Sequence, residues 1–342
     1  SQGAWDRVAF ANGNQSIPLE SVFDNFYTPR LMHKIINGGT VEKPDRDIKN
    51  LKKAPTVQIS YKEGSRNLVV EDDKKTITTQ NATGEITLTG NPNGDKIVEL
   101  RLYQKGKLVS NTRNLIVEDD VPSNSNTKTY PIALVEGSNE FVAIAVNSQN
   151  TESRPDKLEV IYQPAKVDYQ PKGIQAHIMV VGIDAYKNPK YNLNYAVADA
   201  SSFMQSIQNG VKNITSKVHV YEVKNDQAVR DNIISKFTQI ASTANPQDIF
   251  IFYYAGHGVV AQDGSKEFYL VPHDVTQLYG DDGALKQKGV SAKELKQISS
   301  GIPAQKQLFI LDACQSAGAL NTVALRGAAE EKAIAQLARS TG

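Results

Sequence analysis

The chain has a single cysteine, Cys314, where an apolar run opens into polar residues: Leu311-Asp312-Ala313-Cys314-Gln315-Ser316. A second apolar run ends in Tyr253-Tyr254-Ala255-Gly256-His257-Gly258. A thiol with an ordinary pKa of about 8.5 is only slightly ionised at neutral pH. A neighbouring imidazole lowers that value and can later protonate a leaving amine. A lone cysteine is more often a small buried hydrophobe. Here Gln315, Ser316 and then Gly318 follow at once, so Cys314 sits at a strand exit and not inside a strand. His257 lies between two glycines, which let the backbone approach a ligand closely and make the ring a poor core filler. The backbone N–H groups of Gly258 and Cys314 suit an oxyanion hole. The expected chemistry is nucleophilic attack by Cys314 on an acyl carbonyl, with His257 as acid and base.

For these residues to meet, the elements carrying them must be neighbours. From residue 174 onward the pattern is strand, helix, strand. Residues 177–183 form an apolar run, which suits a parallel strand buried on both faces. Ala196, Ala200, Phe203, Met204, Ile207 and Val211 fall on one helical face. A second strand starts at Val218. Asp226 is expected to cap a helix with Val229, Ile233, Phe237 and Ile240 inward. Third and fourth strands cover 248–254 and 308–311, with a small hairpin of 259–260 and 268–271 between them. Repeated right-handed βαβ units give a mainly parallel sheet with helices on both faces. Reactive groups gather at the carboxyl ends of such strands, and Asp184, His257 and Cys314 all sit at such ends.

The first half reads differently. Residues 1–53 hold one expected helix, roughly 19–36, followed by a charged linker. Residues 54–165 alternate apolar and polar at period two, in short runs separated by Gly, Asn and Asp clusters, with a hairpin turn at Lys105-Gly106. This predicts a β-sandwich, so the fold class is multidomain: a sandwich at 54–165, then an α/β domain at 174–342. With 342 residues, 38 basic against 37 acidic and 40% apolar content, the chain is expected to be a soluble globular protein. That balance gives no bias toward nucleic acid or membrane. No apolar run reaches the ~20 residues that a membrane helix needs. No signal peptide is evident, so a cytoplasmic location is expected.

The segment from Gln175 to Gly342 resembles the caspase-like cysteine peptidases, and among them the bacterial metacaspase-like members. The resemblance rests on His177-Ile178-Met179-Val180-Val181-Gly182-Ile183-Asp184, on Tyr254-Ala255-Gly256-His257-Gly258 and on Asp312-Ala313-Cys314-Gln315-Ser316. It implies that Cys314 attacks the scissile carbonyl, that His257 is the acid/base and that Gly258 with Cys314 supplies the oxyanion hole. In this family a backbone carbonyl usually orients the histidine ring. Caspases themselves carry Gln where this chain has Asp312. Residues two apart on a strand share a face, so Asp312 belongs beside Cys314. In the metacaspase-like members that acid lines a pocket for Arg or Lys, together with an acid early in the first helix, which matches Asp199. Two carboxylates would bind a cationic P1 side chain by charge-assisted hydrogen bonds, so cleavage after Arg or Lys is expected.

The resemblance also implies two further strands, the small-subunit part, as a missing partner of the sheet. Arg326-Gly327 fits a basic self-cleavage site, and Arg339 is a second one. The stretch Phe23-Asp24-Asn25-Phe26-Tyr27-Thr28-Pro29 resembles the tail of a WD-repeat domain in some bacterial caspase-like proteins. The sandwich resembles bacterial immunoglobulin-like modules. Other groups point to less. His33, His177, His219 and His273 share no ligand spacing, so no structural metal is expected. Asp281, Asp282 and Asp274 lack the spacing of a calcium loop, and a solvated turn is the better reading than a calcium site; no cofactor is expected. Two other readings stay open: a non-catalytic caspase-like scaffold, and another acyl-transfer enzyme built on a Cys–His pair.

Overall fold

The computed structural model describes residues 8–12, 15–28, 31–38, 47–63, 66–68, 75–110, 126–165, 173–265, 267–280, 282–313, 335, 337 and 338. The chain divides into two compact units, residues 1–169 and 170–341 apart from a few residues assigned across the division.

In the first unit, β1 (Ala9–Asn12) and β2 (Gln15–Pro18) pair antiparallel. The helix expected over 19–36 is in fact broken. A 3-10 turn at Glu20–Val22 runs into α1 (Phe23–Phe26), and α2 (Leu31–Ile36) starts afresh. Tyr27 is extended, with φ −65° and ψ 122°. Pro29 denies the helical conformation to the residue before it, which separates the two short helices. The strands β3 (Thr56–Glu63), β4 (Arg66–Leu68), β5 (Thr76–Thr79), β6 (Thr83–Asn91), β7 (Ile97–Gln104), β8 (Lys107–Leu108), β9 (Thr127–Ala133), β10 (Gly137–Asn147) and β11 (Asp156–Tyr162) follow. They make two sheets, ordered β5-β11-β10-β7-β8 and β4-β3-β6-β9. Inward residues from both, among them Tyr61, Ile86, Leu88, Leu102, Tyr130 and Phe141, share one buried core. The β7–β8 turn has Lys105 at φ 52° and Gly106 at φ 87°, the left-handed pair that a two-residue hairpin needs.

The second unit opens with β12 (Gln175–Gly182), α3 (Ala196–Val211), β13 (Lys217–Lys224), α4 (Arg230–Thr243) and β14 (Ile249–Gly256). Then come β15 (Gly258–Val260), β16 (Phe268–Leu270), α5 (Asp282–Lys288), β17 (Val290–Ser291), α6 (Ala292–Gly301) and β18 (Lys306–Ala313). The main sheet is parallel throughout, in the order β13-β12-β14-β18. Strand alternation splits its side chains between two helical layers. Ile178, Val180, Tyr253 and Ala255 face α3 through Ala196 and Ala200. Met179, Val181, Phe250 and Phe252 face α4 and α6 through Ile233, Phe237, Ile240, Leu295 and Ile298. The cap expected at Asp226 falls elsewhere: Asp226 lies in a 3-10 turn, and extended Val229 is the N-cap of α4. Helices α5 and α6 were not anticipated from the pattern. Ser291 and Glu294 close a capping box at the start of α6, and Arg230 pairs with Glu294. The strands β15, β16 and β17 form a separate antiparallel sheet just after the histidine turn.

Candidate active site

His257 follows the last residue of β14 and is 1% exposed. Its Nε2 lies 2.7 Å from the carbonyl oxygen of Tyr191. A carbonyl only accepts, so Nε2–H is the donor in this bond. Tyr191 closes a 3-10 turn, Pro189–Tyr191, capped by Asn188. The loop bearing it is fixed at several points. Asn225, itself at φ 45°, accepts from the backbone N–H groups of Asp184 (2.9 Å) and Ala185 (3.1 Å). Asp184 accepts from Val197 N–H at 3.3 Å, in the first turn of α3. Tyr191 also meets the imidazole edge-on, with centroids 6.2 Å apart at 81°.

The backbone of His257 is held as well. Its N–H donates to the Tyr186 hydroxyl at 2.9 Å, and the Tyr254 hydroxyl donates to its carbonyl at 2.8 Å. Burial, first of all, pushes the Tyr186 phenol up to about 12 and the Tyr254 phenol well above its ordinary value. Both therefore stay protonated.

The neighbouring strand β18 ends at the same end of the sheet. In the β14–β18 register, Ala255 lies opposite Asp312 and Gly256 opposite Ala313. Gly258 is packed so tightly that a Cβ there would fall 2.7 Å from the Phe268 ring and 2.9 Å from the Ala313 methyl. The β15–β16 ladder is closed by His257 O with Val271 N–H and by Ala261 N–H with Glu267 O, each bond joining residues one step outside the pairs Gly258–Leu270 and Val260–Phe268. Gly258 thus sits in a non-hydrogen-bonded pair, and its N–H points away from β16.

Asp312 is exposed, and the Tyr253 hydroxyl donates to its carboxylate at 3.0 Å. The Tyr253 ring stacks on Phe203 of α3 at 4.4 Å. Asp199 is exposed in the first turn of α3, one turn before Phe203 and on the same flank. Cys314, Arg326, Arg339 and Asp281 lie outside the described residues. Asp282 accepts from Gln262 N–H, and Asp274 pairs with Lys288 at 3.0 Å. Among the described residues, no three His, Cys, Asp or Glu side chains gather as metal ligands would. His177 and His219 stack on each other, 4.8 Å apart, and His273 donates to the Ala185 carbonyl at 2.6 Å. Sequence reasoning did not single out Tyr186, Tyr191 or Asn225. Aromatic rings set in an otherwise polar loop, 184–195, were the available signal.

A buried histidine at the carboxyl edge of a parallel sheet with helices on both faces is the arrangement of a caspase-type α/β peptidase domain. Residues 175–340 match the family model described as Caspase domain, and the C-terminal half of this chain is a caspase domain. Two curated relatives are similar over that half. A protein from a Desulfuromonadales bacterium, named a probable protease, is 26% identical over 158 residues, covering 42% of this chain and 18% of that protein. Inactive metacaspase-4 of Trypanosoma brucei brucei is 25% identical over 151 residues, 41% of each chain. The chain therefore spans less than half the length of either relative. Fibronectin(III)-like modules of Clostridium thermocellum CbhA match 35% of this chain and 52% of theirs, at 19% identity and a TM-score of 0.23, too low to bear on the fold. Among the described residues, no helix is long and apolar enough to cross a membrane.

Proposed function

We propose that this chain is a cysteine endopeptidase that uses Cys314 and His257 to cleave peptide bonds after Arg or Lys. The observation that carries the reading is the commitment of buried His257 Nε2 to the Tyr191 carbonyl, which leaves Nδ1 as the base at the strand end opposite Ala313. Cys314 is the next residue in sequence after Ala313. The thiol gives its proton to Nδ1, and the thiolate attacks the scissile carbonyl. The resulting oxyanion takes the N–H of Gly258 and that of Cys314. The imidazolium then protonates the leaving amine, and water, with His257 as base, hydrolyses the thioester.

Specificity for a basic P1 residue rests on Asp312, turned toward the α3 face by Tyr253, and on Asp199, exposed on the matching flank of that helix. Two carboxylates there would repel an acidic P1. The sheet edge supports a further partner. Among the described residues β18 is an outer strand, with Leu308 47% exposed, and an apolar edge of this kind invites another strand, which we assign to a small-subunit segment. Self-cleavage at Arg326 or Arg339 belongs to the same reading, and unchanged processing in Arg326→Ala would exclude the first site. For the first half, we propose an immunoglobulin-like sandwich at 54–165 that acts as a spacer or regulator, preceded by a segment, 1–53, that follows a WD-repeat domain.

The test is hydrolysis of fluorogenic peptides ending in Arg, Lys or Asp, by the chain and by Cys314→Ala, with and without calcium. Turnover of the Arg and Lys peptides that disappears in Cys314→Ala is expected. Hydrolysis by the alanine variant removes Cys314 from the mechanism, and a preference for Asp sinks the pocket. No turnover under any condition favours a non-catalytic scaffold.

A further inference from the structure

We propose that Tyr186 and Tyr254 are positioning residues for His257: their hydroxyls clamp the backbone on which the base is mounted. The inference rests on the reading of His257 as the base. Glycine on either side leaves the Gly256-His257-Gly258 backbone with few torsional restraints of its own, so holding the ring at Nε2 does not by itself fix the Cα of His257. The two hydroxyls remove that freedom. His257 N–H donates to Tyr186 at 2.9 Å. The Tyr254 hydroxyl lies 2.8 Å from the His257 carbonyl and 2.9 Å from that of Val271, and it accepts from Val271 N–H at 3.2 Å. Val271 N–H also reaches the His257 carbonyl at 2.9 Å.

The local sequence makes room for this arrangement. A Cβ at Gly256 would fall 2.7 Å from the Tyr254 hydroxyl and 2.9 Å from that of Tyr186. Only glycine at 256 lets both hydroxyls reach their partners. The Tyr186 ring also lies against the imidazole, with centroids 4.8 Å apart. Tyr186 and Tyr191 share one loop, which grips the N–H of His257 through the first and the ring through the second. Tyr254 ties the same residue to Val271, at the end of β16. Small displacements of a base cost rate far more than they cost binding.

Tyr186→Phe and Tyr254→Phe keep the rings and remove the hydroxyls, and Tyr221→Phe is a control at a buried tyrosine away from the site. In the full chain acting on a basic fluorogenic peptide, each of the first two is expected to lower kcat by about 10- to 100-fold. KM should stay near the parent value, and the acid limb of the kcat/KM profile, which reports the histidine, should move. Unchanged kcat in both variants overturns the proposal. So does a loss that Tyr221→Phe reproduces in step with its melting temperature. If the parent turns over no peptide, the functional reading fails, and the imidazole 15N signals of His257 decide this one separately. A parent Nε2–H tautomer that becomes mixed in the two variants upholds the clamp, and the parent tautomer in both overturns it.

Discussion

His257 is oriented by backbone and phenol groups: its Nε2 meets the Tyr191 carbonyl, its N–H the Tyr186 hydroxyl and its carbonyl the Tyr254 hydroxyl. The other buried histidine of the caspase domain behaves differently. His177 is fully buried, its Nδ1 lies 3.3 Å from the Tyr221 hydroxyl, and Asp248 stands 3.6 Å from its Nε2. Burial, and then the adjacent His219 ring, hold its pKa below the ordinary value, while Asp248 pulls the other way. His219 is lowered too, by burial and then by Lys217. A histidine depressed in the folded state binds its proton more readily when unfolded. Its contribution is therefore complete above the unfolded pKa of about 6.5 and is lost as pH falls below that value toward the folded one. Urea midpoints for the second unit should fall between about pH 7 and about pH 5, and His177→Phe should flatten that slope. An unchanged slope in the variant would assign the acid sensitivity to other groups.

At the scale of the element, α4 shows how little of its anchoring is local. Its N-cap is Val229, which offers no side-chain oxygen, and its place is set by Phe237 wedged against Phe250 and Phe252, with centroids 6.2 and 5.0 Å away. Phe237→Ala should destabilise the second unit by about 3–5 kcal/mol, since a ring that size leaves a cavity the strands cannot close. Chemical denaturation followed by circular dichroism checks this, and a cost under about 1 kcal/mol would mean that the helix can resettle. The inward periodicity of α3 and α4 was readable beforehand because one apolar face repeats every three to four residues. The 19–36 segment was misread because its apolar spacing hid the stop imposed by Pro29. Helix α5 offers only Leu285 as a buried anchor, whereas α6 carried a signal that was missed: Ser291 and Glu294 at capping-box spacing, then Ala292, Leu295 and Ile298 at helical spacing.

At the scale of the whole molecule, each unit encloses its own core: Tyr61, Tyr130 and Phe141 in the first, Phe237, Phe250 and Phe252 in the second. Hydrogen exchange on the intact chain should reflect that separation. Phe141→Ala is expected to speed exchange in β3 to β11 and to spare β12 to β18, and Phe237→Ala should do the reverse. Equal acceleration everywhere in either variant would show one cooperative unit in place of two.

By itself the sequence determined which residue types are available for chemistry and where the strands of the sheet and the helices α3 and α4 form, though not the break between α1 and α2 or the helices α5 and α6. A thiol, an imidazole between glycines and the acids Asp312 and Asp199 are visible as residue types, and apolar period is a local property of the chain. Tertiary structure alone decided what holds the histidine. The Tyr191 carbonyl that takes Nε2–H is a backbone group that every residue possesses, so no residue type marks it. Tyr186 reaches His257 across a long stretch of sequence, and the pairing of Gly256 with Ala313 depends on two parallel strands whose register is set by packing against the helices. Contacts of that kind exist only once the sheet has closed.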